Sequence, residues 1–374
     1  MGQLSQLYVY PVKSMRGLQL SHAQVLESGL AFDRLFMLTR PDGQFITARQ
    51  HTKLLCYTPV LTLEGMLISA PDGSHITLDL SQFSACDFPT QVWGNHFTSR
   101  QAPEHINAWF SEKIGEPVTL RWTGQTPTRR IKRFPDNALS FADGYPFMLF
   151  SQASFEMLQS RCPTTLMLPQ MRPNFVVSGV APFAEDSWQT IRIGDIIFDV
   201  IKPCSRCNIT TMNIETGVPH PTQEPLTTLS TFRTTEKGDV DFGQMLIARN
   251  QGVVRIHDDI EVLATKPPMT YPLHERQSEV TAPSTDASID EKAVVIDYNG
   301  VSFIGNNRQP LLEQIEQQGM QINYSCRAGI CGCCRVNLIG GEVVDIRKKE
   351  EKSNESILAC SCRPKGNVII RSKN

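Results

Sequence analysis

The stretch CRAGICGCC, residues 326–334, says more about the fold of this 374-residue chain than any other segment. Cys326, Cys331 and Cys334 are separated by four and then by two residues, and Cys360 follows Cys334 after twenty-five more. A loop this tight brings three thiolates to one point, and a distant segment must supply the fourth. Two glycines inside the loop let the backbone approach a bound group without an intervening Cβ. The pattern indicates one metal centre held by four thiolates.

This spacing is the one used by plant-type [2Fe-2S] clusters, and it predicts that cofactor. Zinc is the first alternative, but structural zinc sites favour two separated Cys-x2-Cys pairs, and the loop contains only one. A group of reduced cysteines without metal is the second alternative. Cys333 and Cys362 are surplus, and Cys362 competes with Cys360 as fourth ligand. The apolar residues 357–359 before Cys360 resemble the segment that carries the last ligand of ferredoxins, which favours Cys360.

The rest of the C-terminal part fits that interpretation. An Asn-Gly turn between residues 294–298 and 301–304 predicts a hairpin. A proline and a glycine at the ends of residues 310–319 predict a helix. Residues 293–374 resemble the plant-type ferredoxins over their whole length, so an α+β ferredoxin-type (β-grasp) domain is expected here.

Composition restricts the class of protein. Apolar residues make up 40% and charged residues 20% of the chain, as in ordinary globular proteins. The formal net charge of −2 provides no basic field for nucleic acid or an anionic membrane. The N-terminus lacks the layout of a signal peptide, and no apolar run approaches the length of a membrane span. Since six of eleven cysteines fall in the last fifty residues, we expect metal binding in a cytoplasmic protein rather than disulfides.

The chain before residue 267 is predicted to be mostly β with a few helices. The predicted elements are hairpins over 36–47 and 66–78, helices over 103–114 and 152–161, and a strand run over 190–200. The strand run leads directly into Cys204 and Cys207. Residues 267–292 are rich in Pro, Ser, Thr and charge and lack periodicity, so they are predicted to form a flexible linker.

Five short motifs stand out before the linker. They are Tyr10-Pro11-Val12-Lys13-Ser14, Phe32-Asp33-Arg34, Thr47-Ala48-Arg49-Gln50, Met171-Arg172-Pro173-Asn174-Phe175 and Cys204-Ser205-Arg206-Cys207. Each is weak alone, because a single cation is usually solvated and two cysteines can be a redox pair, half a zinc site or buried thiols. Together they resemble the MOSC family and, within it, the mitochondrial amidoxime-reducing components and the bacterial YcbX proteins. The resemblance implies a MOSC N-terminal β-barrel domain over 1–93 and a MOSC domain over 94–266, which share one cofactor site.

The resemblance also implies a cofactor and its ligands. Members of that family bind molybdenum cofactor, whose soft metal takes one protein thiolate, here assigned to Cys207 with Cys204 as the alternative. The phosphate of the pterin favours fixed cations and hydroxyl donors. The residues matched to cofactor contacts are Lys13, Ser14, Arg34, Arg172, Asn174 and Ser205, and Arg206 is matched to the substrate side. The basic stretch 123–140 either borders this pocket or is a solvated loop.

Three functions follow as hypotheses. The first is a molybdenum cofactor-dependent reductase that cleaves the N–O bond of N-hydroxylated purines, amidoximes and hydroxylamines, fed through the fused [2Fe-2S] domain. Because no G-x-G-x-x-G or Walker motif is present, a separate flavoprotein reductase is expected as electron donor. The second is a sulfur or cofactor carrier using a cysteine persulfide, since MOSC domains also occur in molybdenum cofactor sulfurases. The third is a simple electron carrier. The fused ferredoxin domain favours the first.

Overall fold

The computed structural model describes residues 2–236, 238–272, 292–324, 329, 334–346, 350–353 and 356–372. The chain forms two compact units. The first contains Met1–Cys204, Asn213–Val218 and Phe242–Met269, and the second contains Ser205–Met212, Pro219–Asp241 and Thr270–Asn374. Of the predicted linker, residues 273–291 lie outside the described residues, so its flexibility stays a prediction.

The first unit is built mainly from strands, and two of them, β17 and β18, extend one residue into the second unit. The strands are β1 (Gly2–Val9), β2 (Leu18–Leu20), β3 (His22–Leu26), β4 (Gly29–Leu30), β5 (Phe36–Thr39), β6 (Thr58–Leu61), β7 (Gly65–Ser69), β8 (His75–Asp79), β9 (Phe88–Val92), β10 (Asn95–Gln101), β11 (Thr119–Trp122), β12 (Arg130–Ile131), β13 (Phe134–Ala138), β14 (Phe147–Ser151), β15 (Phe175–Ser178), β16 (Trp188–Ile193), β17 (Ile196–Ser205), β18 (Asp241–Ala248), β19 (Gly252–Arg255) and β20 (Asp259–Thr265).

The largest sheet closes into a barrel. Its strand order is β15-β14-β18-β17-β16-β20-β1-β2, and β1, the strand before the last in this order, also pairs antiparallel with the first strand, β15, which closes the barrel. Phe147, Phe175 and Phe198 are buried in its core, with ring centroids 5.3–5.7 Å apart. Truncating one of these rings to alanine would cost about 3–5 kcal/mol of unfolding free energy, because the tightly packed core cannot refill the cavity. Since β1 belongs to this barrel, the N-terminal strand is part of the main core.

The remaining strands of the first unit form smaller sheets, including β5-β11-β10-β9 and β6-β7-β8. The hairpin predicted over 66–78 is confirmed by the antiparallel pairing of β7 with β8. The hairpin predicted over 36–47 is reduced to one bridge between Thr39 and Phe45, because β5 pairs along its length with the distant β11. The predicted boundary at residues 93/94 falls in the turn between the paired strands β9 and β10.

Two helices of the first unit confirm their predictions. Helix α1 (Glu104–Ile114) begins after Pro103 and ends at Gly115, whose φ of 81° is in the left-handed region that glycine tolerates. Helix α2 (Gln152–Arg161) begins after Ser151, whose Oγ accepts a hydrogen bond from the Ser154 amide at 3.1 Å. The predicted strand run is also present as the antiparallel hairpin of β16 and β17.

The second unit includes a short helix, α3 (Leu226–Ser230), and a separate C-terminal part. The C-terminal elements are β21 (Ala293–Tyr298), β22 (Val301–Asn306), α4 (Leu311–Gln317), β23 (Arg335–Gly340), β24 (Glu342–Asp345), β25 (Glu350–Ser353), β26 (Ser356–Leu358), β27 (Cys362–Pro364) and β28 (Val368–Ser372). Strands β22-β21-β28-β23-β26 make one sheet and β25-β24-β27 another. Helix α4 packs Leu311, Leu312 and Ile315 into the core beneath the larger sheet. The predicted hairpin and helix are confirmed.

Candidate cofactor site

Two predicted cofactor residues of the first unit, Arg34 and Arg172, lie against the ring of the buried Tyr10, and a third, Lys13, follows Tyr10 in its motif. The guanidinium carbons of Arg34 and Arg172 lie 4.4 and 4.3 Å from the centre of the Tyr10 ring. Backbone hydrogen bonds from Arg34 to Tyr10 and from Lys13 to Phe36, both 2.8 Å long, align the first two motifs. Lys13, Arg34 and Arg172, here called the cationic cluster, therefore come from three separate motifs.

Arg34 is held by an acid and an amide. Its Nη1 donates to the Asp33 carboxylate and, at 3.2 Å, to Oδ1 of Asn174. Asn174 is buried, and its Nδ2 donates to the carbonyl of Tyr8 at 3.1 Å. Asn174 therefore fixes Arg34 to β1, and the structure brings these two predicted site residues into direct contact.

Arg172 lacks a matching acid. Its Nη1 donates to the carbonyl of Met15 at 2.8 Å, and within the described part of the chain it forms no ion pair with a carboxylate. The pKa of Arg172 is lowered to about 10, mainly by loss of hydration and to a smaller extent by repulsion from Arg34. A guanidinium in this position gains from an added anion, because an opposite charge stabilises the charged form and offsets both effects on the pKa.

Lys13 is buried and paired. Its Nζ donates to Asp143 at 2.5 Å and to the carbonyl of Phe141 at 2.9 Å. Loss of hydration lowers the pKa of Lys13 to about 8, although Asp143 opposes the shift. Ser14 follows with a φ of 72° and is also buried. The left-handed conformation of Ser14 places lysine and serine at one bend of the backbone.

For the basic stretch 123–140, the structure rules out one of the two interpretations at Arg129. Arg129 is buried and donates to the carbonyls of Ser140, Ala142 and Asp143, so a solvated loop is wrong for this residue. Residues 130–138 contain the paired strands β12 and β13. Arg129 thus supports the segment that carries the acid partner of Lys13.

Two aromatic contacts near Lys13 were not predicted. Trp93 donates from Nε1 to Asp143 at 3.0 Å. The guanidinium carbon of Arg49, from the third motif, lies 4.8 Å from the centre of the Trp93 ring. The sequence shows Trp93 next to a glycine in a turn. Nothing in the sequence connects this tryptophan with Asp143, which lies fifty positions further along the chain.

The remaining predicted residues of this site, Ser205, Arg206 and Cys207, form what we call the Cys207 segment, in the second unit. Ser205 ends β17, and its Oγ donates to Asp241 at 3.0 Å, while the amide of Arg206 donates to Val240 at 2.7 Å. Cys207 is extended and begins a 3-10 turn, and its carbonyl accepts hydrogen bonds from Thr210. Cys207 is partly exposed.

The alternative thiol lies in the first unit. Cys204 is buried on β17, with 4% of its surface exposed. Because a metal complex as large as a pterin needs access to its ligand, this burial favours Cys207 over Cys204 as the candidate thiolate.

Two of the four predicted cluster ligands are described. Cys334 and Cys360 are both buried. The amide of Gly329 donates to Sγ of Cys360 at 3.1 Å, and the amide of Cys360 donates to Sγ of Cys334 at 3.4 Å. Gly329 has a φ of 68°, which glycine adopts without strain. Backbone N–H groups aimed at buried sulfur atoms suit anionic thiolates, so these residues fit a cluster.

The other two predicted ligands, Cys326 and Cys331, lie outside the described residues, as does Cys333. The competing cysteine, Cys362, is buried in β27, opposite Asp345 of β24. The hydrogen bonds to Cys334 and Cys360 therefore support the sequence-based choice of Cys360 as the fourth ligand.

Comparison with known families agrees with the fold. Residues 1–117 match the MOSC N-terminal beta barrel domain, residues 136–261 match the MOSC domain, and residues 294–365 match the 2Fe-2S iron-sulfur cluster binding domain. The protein is therefore a fusion of a MOSC domain pair with a 2Fe-2S cluster binding domain. The predicted fold class, mostly β followed by a ferredoxin-type domain, is confirmed.

The relatives narrow the class further. The chain is 28% identical over 283 residues to mitochondrial amidoxime-reducing component 1 of Mus musculus, covering 70% of this chain and 82% of the relative. The Homo sapiens counterpart is also 28% identical, over 281 residues, covering 70% and 83%. Molybdenum cofactor sulfurase of Oryza sativa subsp. japonica is 29% identical over 266 residues, covering 65% of this chain but 32% of the sulfurase. The predicted resemblance is confirmed.

None of the helices formed by the described residues combines the length and the apolar content that a transmembrane segment requires.

Proposed function

We propose that this protein is a molybdenum cofactor-dependent oxidoreductase that reduces N-hydroxylated compounds such as N-hydroxylated purines, amidoximes and hydroxylamines. The reaction is R–NH–OH + 2 electrons + 2 protons → R–NH2 + H2O, in which the N–O bond breaks and its oxygen leaves as water. A separate flavoprotein reductase supplies the electrons to the fused [2Fe-2S] domain. The named activity of the amidoxime-reducing relatives supports this proposal.

The observation that carries the proposal is the excess of positive charge around Tyr10. Arg34 shares its charge with Asp33 and Lys13 with Asp143, whereas Arg172 has only a carbonyl partner among the described residues. Such an arrangement favours an anion of about one charge or more, as the phosphate of a pterin cofactor is. Lys13, Ser14, Arg34, Arg172 and Asn174 would hold that end of the cofactor.

The Cys207 segment would supply the protein ligand of the metal. When bound, the molybdenum cofactor supplies a centre that accepts two electrons and transfers them to the substrate. Cys207 would provide the thiolate ligand to molybdenum, and Ser205 a hydroxyl contact. Arg206, adjacent to that thiolate in sequence, would face the substrate and orient its N-hydroxyl group. Cys207 itself has an extended backbone at the start of the 3-10 turn.

The electrons enter through the C-terminal part. Cys326, Cys331, Cys334 and Cys360 would hold the cluster, which carries one electron at a time, so each turnover needs two deliveries. The linker keeps the cluster domain at an effective concentration on the order of millimolar near the molybdenum centre. Docking can then be weak, and the same cluster can meet the reductase between deliveries.

The test is Cys207→Ala against Cys204→Ala as the matched control. Cys207→Ala should abolish reduction of an amidoxime with reduced viologen, because the metal loses its protein ligand, while the visible spectrum of the cluster stays unchanged. Cys204→Ala should retain turnover. Loss of activity in Cys204→Ala with retention in Cys207→Ala would exchange the assignment, and activity in both would refute the molybdenum function.

The sulfurase relative favours a second candidate, a sulfur carrier in which Cys207 holds a persulfide. The chain matches only a third of that relative, which leaves the larger part of the sulfurase without a counterpart here. Intact-protein mass spectrometry after incubation with a persulfide donor separates the two functions. A stable gain of one sulfur atom at Cys207, without reductase activity, would support the carrier.

A further inference from the structure

The start of the linker is fastened to the same part of the structure that carries the Cys207 segment. The guanidinium carbon of Arg233 lies 3.9 Å from the centre of the Tyr271 ring, and Arg233 Nη2 donates to Tyr271 Oη at 3.3 Å. Tyr271 Oη in turn donates to Oδ2 of Asp241 at 3.2 Å. Tyr271 lies between the MOSC match, which ends at residue 261, and the cluster domain match, which begins at residue 294.

Asp241 connects this contact to the Cys207 segment. Its Oδ1 accepts from Ser205 at 3.0 Å, so Ser205 and Tyr271 occupy one carboxylate oxygen each. Asp241 is buried, with 3% of its surface exposed, and a buried carboxylate oxygen that loses its donor is costly. The orientation of the carboxylate therefore depends on both hydroxyl groups.

Arg233 also binds the backbone of Asp241. Its Nε donates to the Asp241 carbonyl at 3.2 Å, and the Asp241 amide donates to the Arg233 carbonyl at 3.0 Å. The preceding Val240 carbonyl accepts from the Arg206 amide at 2.7 Å. The ring of Tyr271 therefore packs on Arg233, and Arg233 holds the backbone of Asp241 through two hydrogen bonds. Asp241 and the preceding Val240 in turn bind Ser205 and Arg206.

We propose that Tyr271 is a positioning residue of the molybdenum site, acting through Asp241 and Arg233 on Ser205 and Arg206. The first residues of the linker then have a structural role in addition to connecting two domains, because Tyr271 donates one of the hydrogen bonds that position the Cys207 segment. This inference rests on the proposed function for the role of Cys207, but the contacts themselves do not depend on it.

The experiment compares Tyr271→Phe, Tyr271→Ala and the control Met269→Ala in the full-length protein. Phenylalanine keeps the ring on Arg233 and removes the hydroxyl, alanine removes both, and Met269 is an exposed neighbour in sequence. Hydrogen–deuterium exchange of peptides covering 205–207 is the primary measurement, in cofactor-free and in loaded protein. We expect exchange to quicken about tenfold in Tyr271→Phe, more in Tyr271→Ala, and not at all in the control.

Turnover with two donors provides the second measurement. If Tyr271 positions the Cys207 segment, both viologen-driven and flavoprotein-driven rates fall by the same factor, and the cluster spectrum is unchanged. A fall confined to the flavoprotein-driven rate, or unchanged exchange of the 205–207 peptides in Tyr271→Ala, would overturn the proposal. Altered exchange together with an inactive wild-type protein would refute the proposed function but leave the positioning contact intact.

Discussion

The cysteine loop, residues 326–334, and the cationic cluster around Tyr10 are candidate binding sites built in opposite ways. Three predicted ligands of the cysteine loop lie within nine consecutive residues. The cationic cluster joins positions as distant as Arg34 and Asn174, 140 residues apart, and Lys13 and Asp143, 130 residues apart. The first site depends on a few equivalent bonds to metal, while the second divides its charge among several side chains. Loss of one group should therefore be all-or-none in the first site and graded in the second.

The largest expected effect comes from Cys360→Ser, with Cys362→Ser as the matched control. Both cysteines are buried, and the amide of Gly329 donates to Sγ of Cys360. Cys360→Ser should lose the brown colour and nearly all iron, whereas Cys362→Ser should keep both. Visible absorption and iron analysis measure the outcome, and the reverse result would make Cys362 the fourth ligand.

The contrast is sharpened by Arg172→Ala. Removal of one charge-assisted donor from the cationic cluster should weaken cofactor retention about 10–100-fold without abolishing folding, since about 1.5–3 kcal/mol is lost. Molybdenum per chain after gel filtration measures the effect. The control is Arg192→Ala, which removes an exposed partner of Glu261 and should leave molybdenum content unchanged. An all-or-none loss in Arg172→Ala would contradict the graded behaviour expected of this site.

These two sites also show which features of the protein could be predicted from the sequence and which could not. Helices α1 and α2 followed from local signals, such as Ser151 before α2. The strand run predicted over 190–200 is two antiparallel strands, with Gly194 in the turn between them. The cysteine spacing predicted its chemistry because the ligands are close in sequence. Asp143 and Trp93 carried no such signal, because only the folded chain brings them to Lys13. The sequence left two interpretations open for Arg129 for the same reason, because its carbonyl partners come together only in the folded chain.

A smaller effect is expected from pH at Lys13. Its pKa of about 8 means that the side chain is charged below pH 8 and increasingly neutral above it. If only the charged form binds the anion, the affinity of cofactor-free protein for sulfate falls about fivefold from pH 8 to pH 9, because the charged fraction of Lys13 falls from about one half to about one tenth. Calorimetric titration with sulfate, whose own charge is constant in this range, measures the change. Lys13→Arg is the control, because its guanidinium stays charged and its profile should be flat.

The smallest effect concerns the linker that joins the two sites. Inserting about ten Gly and Ser residues at position 284 lengthens a tether of about twenty-five residues, so the effective concentration of the cluster domain should fall less than twofold by the −3/2 power of length. Flavoprotein-driven turnover should fall by no more than that factor, and viologen-driven turnover should be unchanged because this donor bypasses the cluster. The insertion lies beyond Tyr271, so the contact with Asp241 is preserved. A fall of tenfold or more would mean that the linker holds the cluster domain in one defined position. The two candidate sites would then act as a rigid pair, and a random-coil tether would be the wrong physical description.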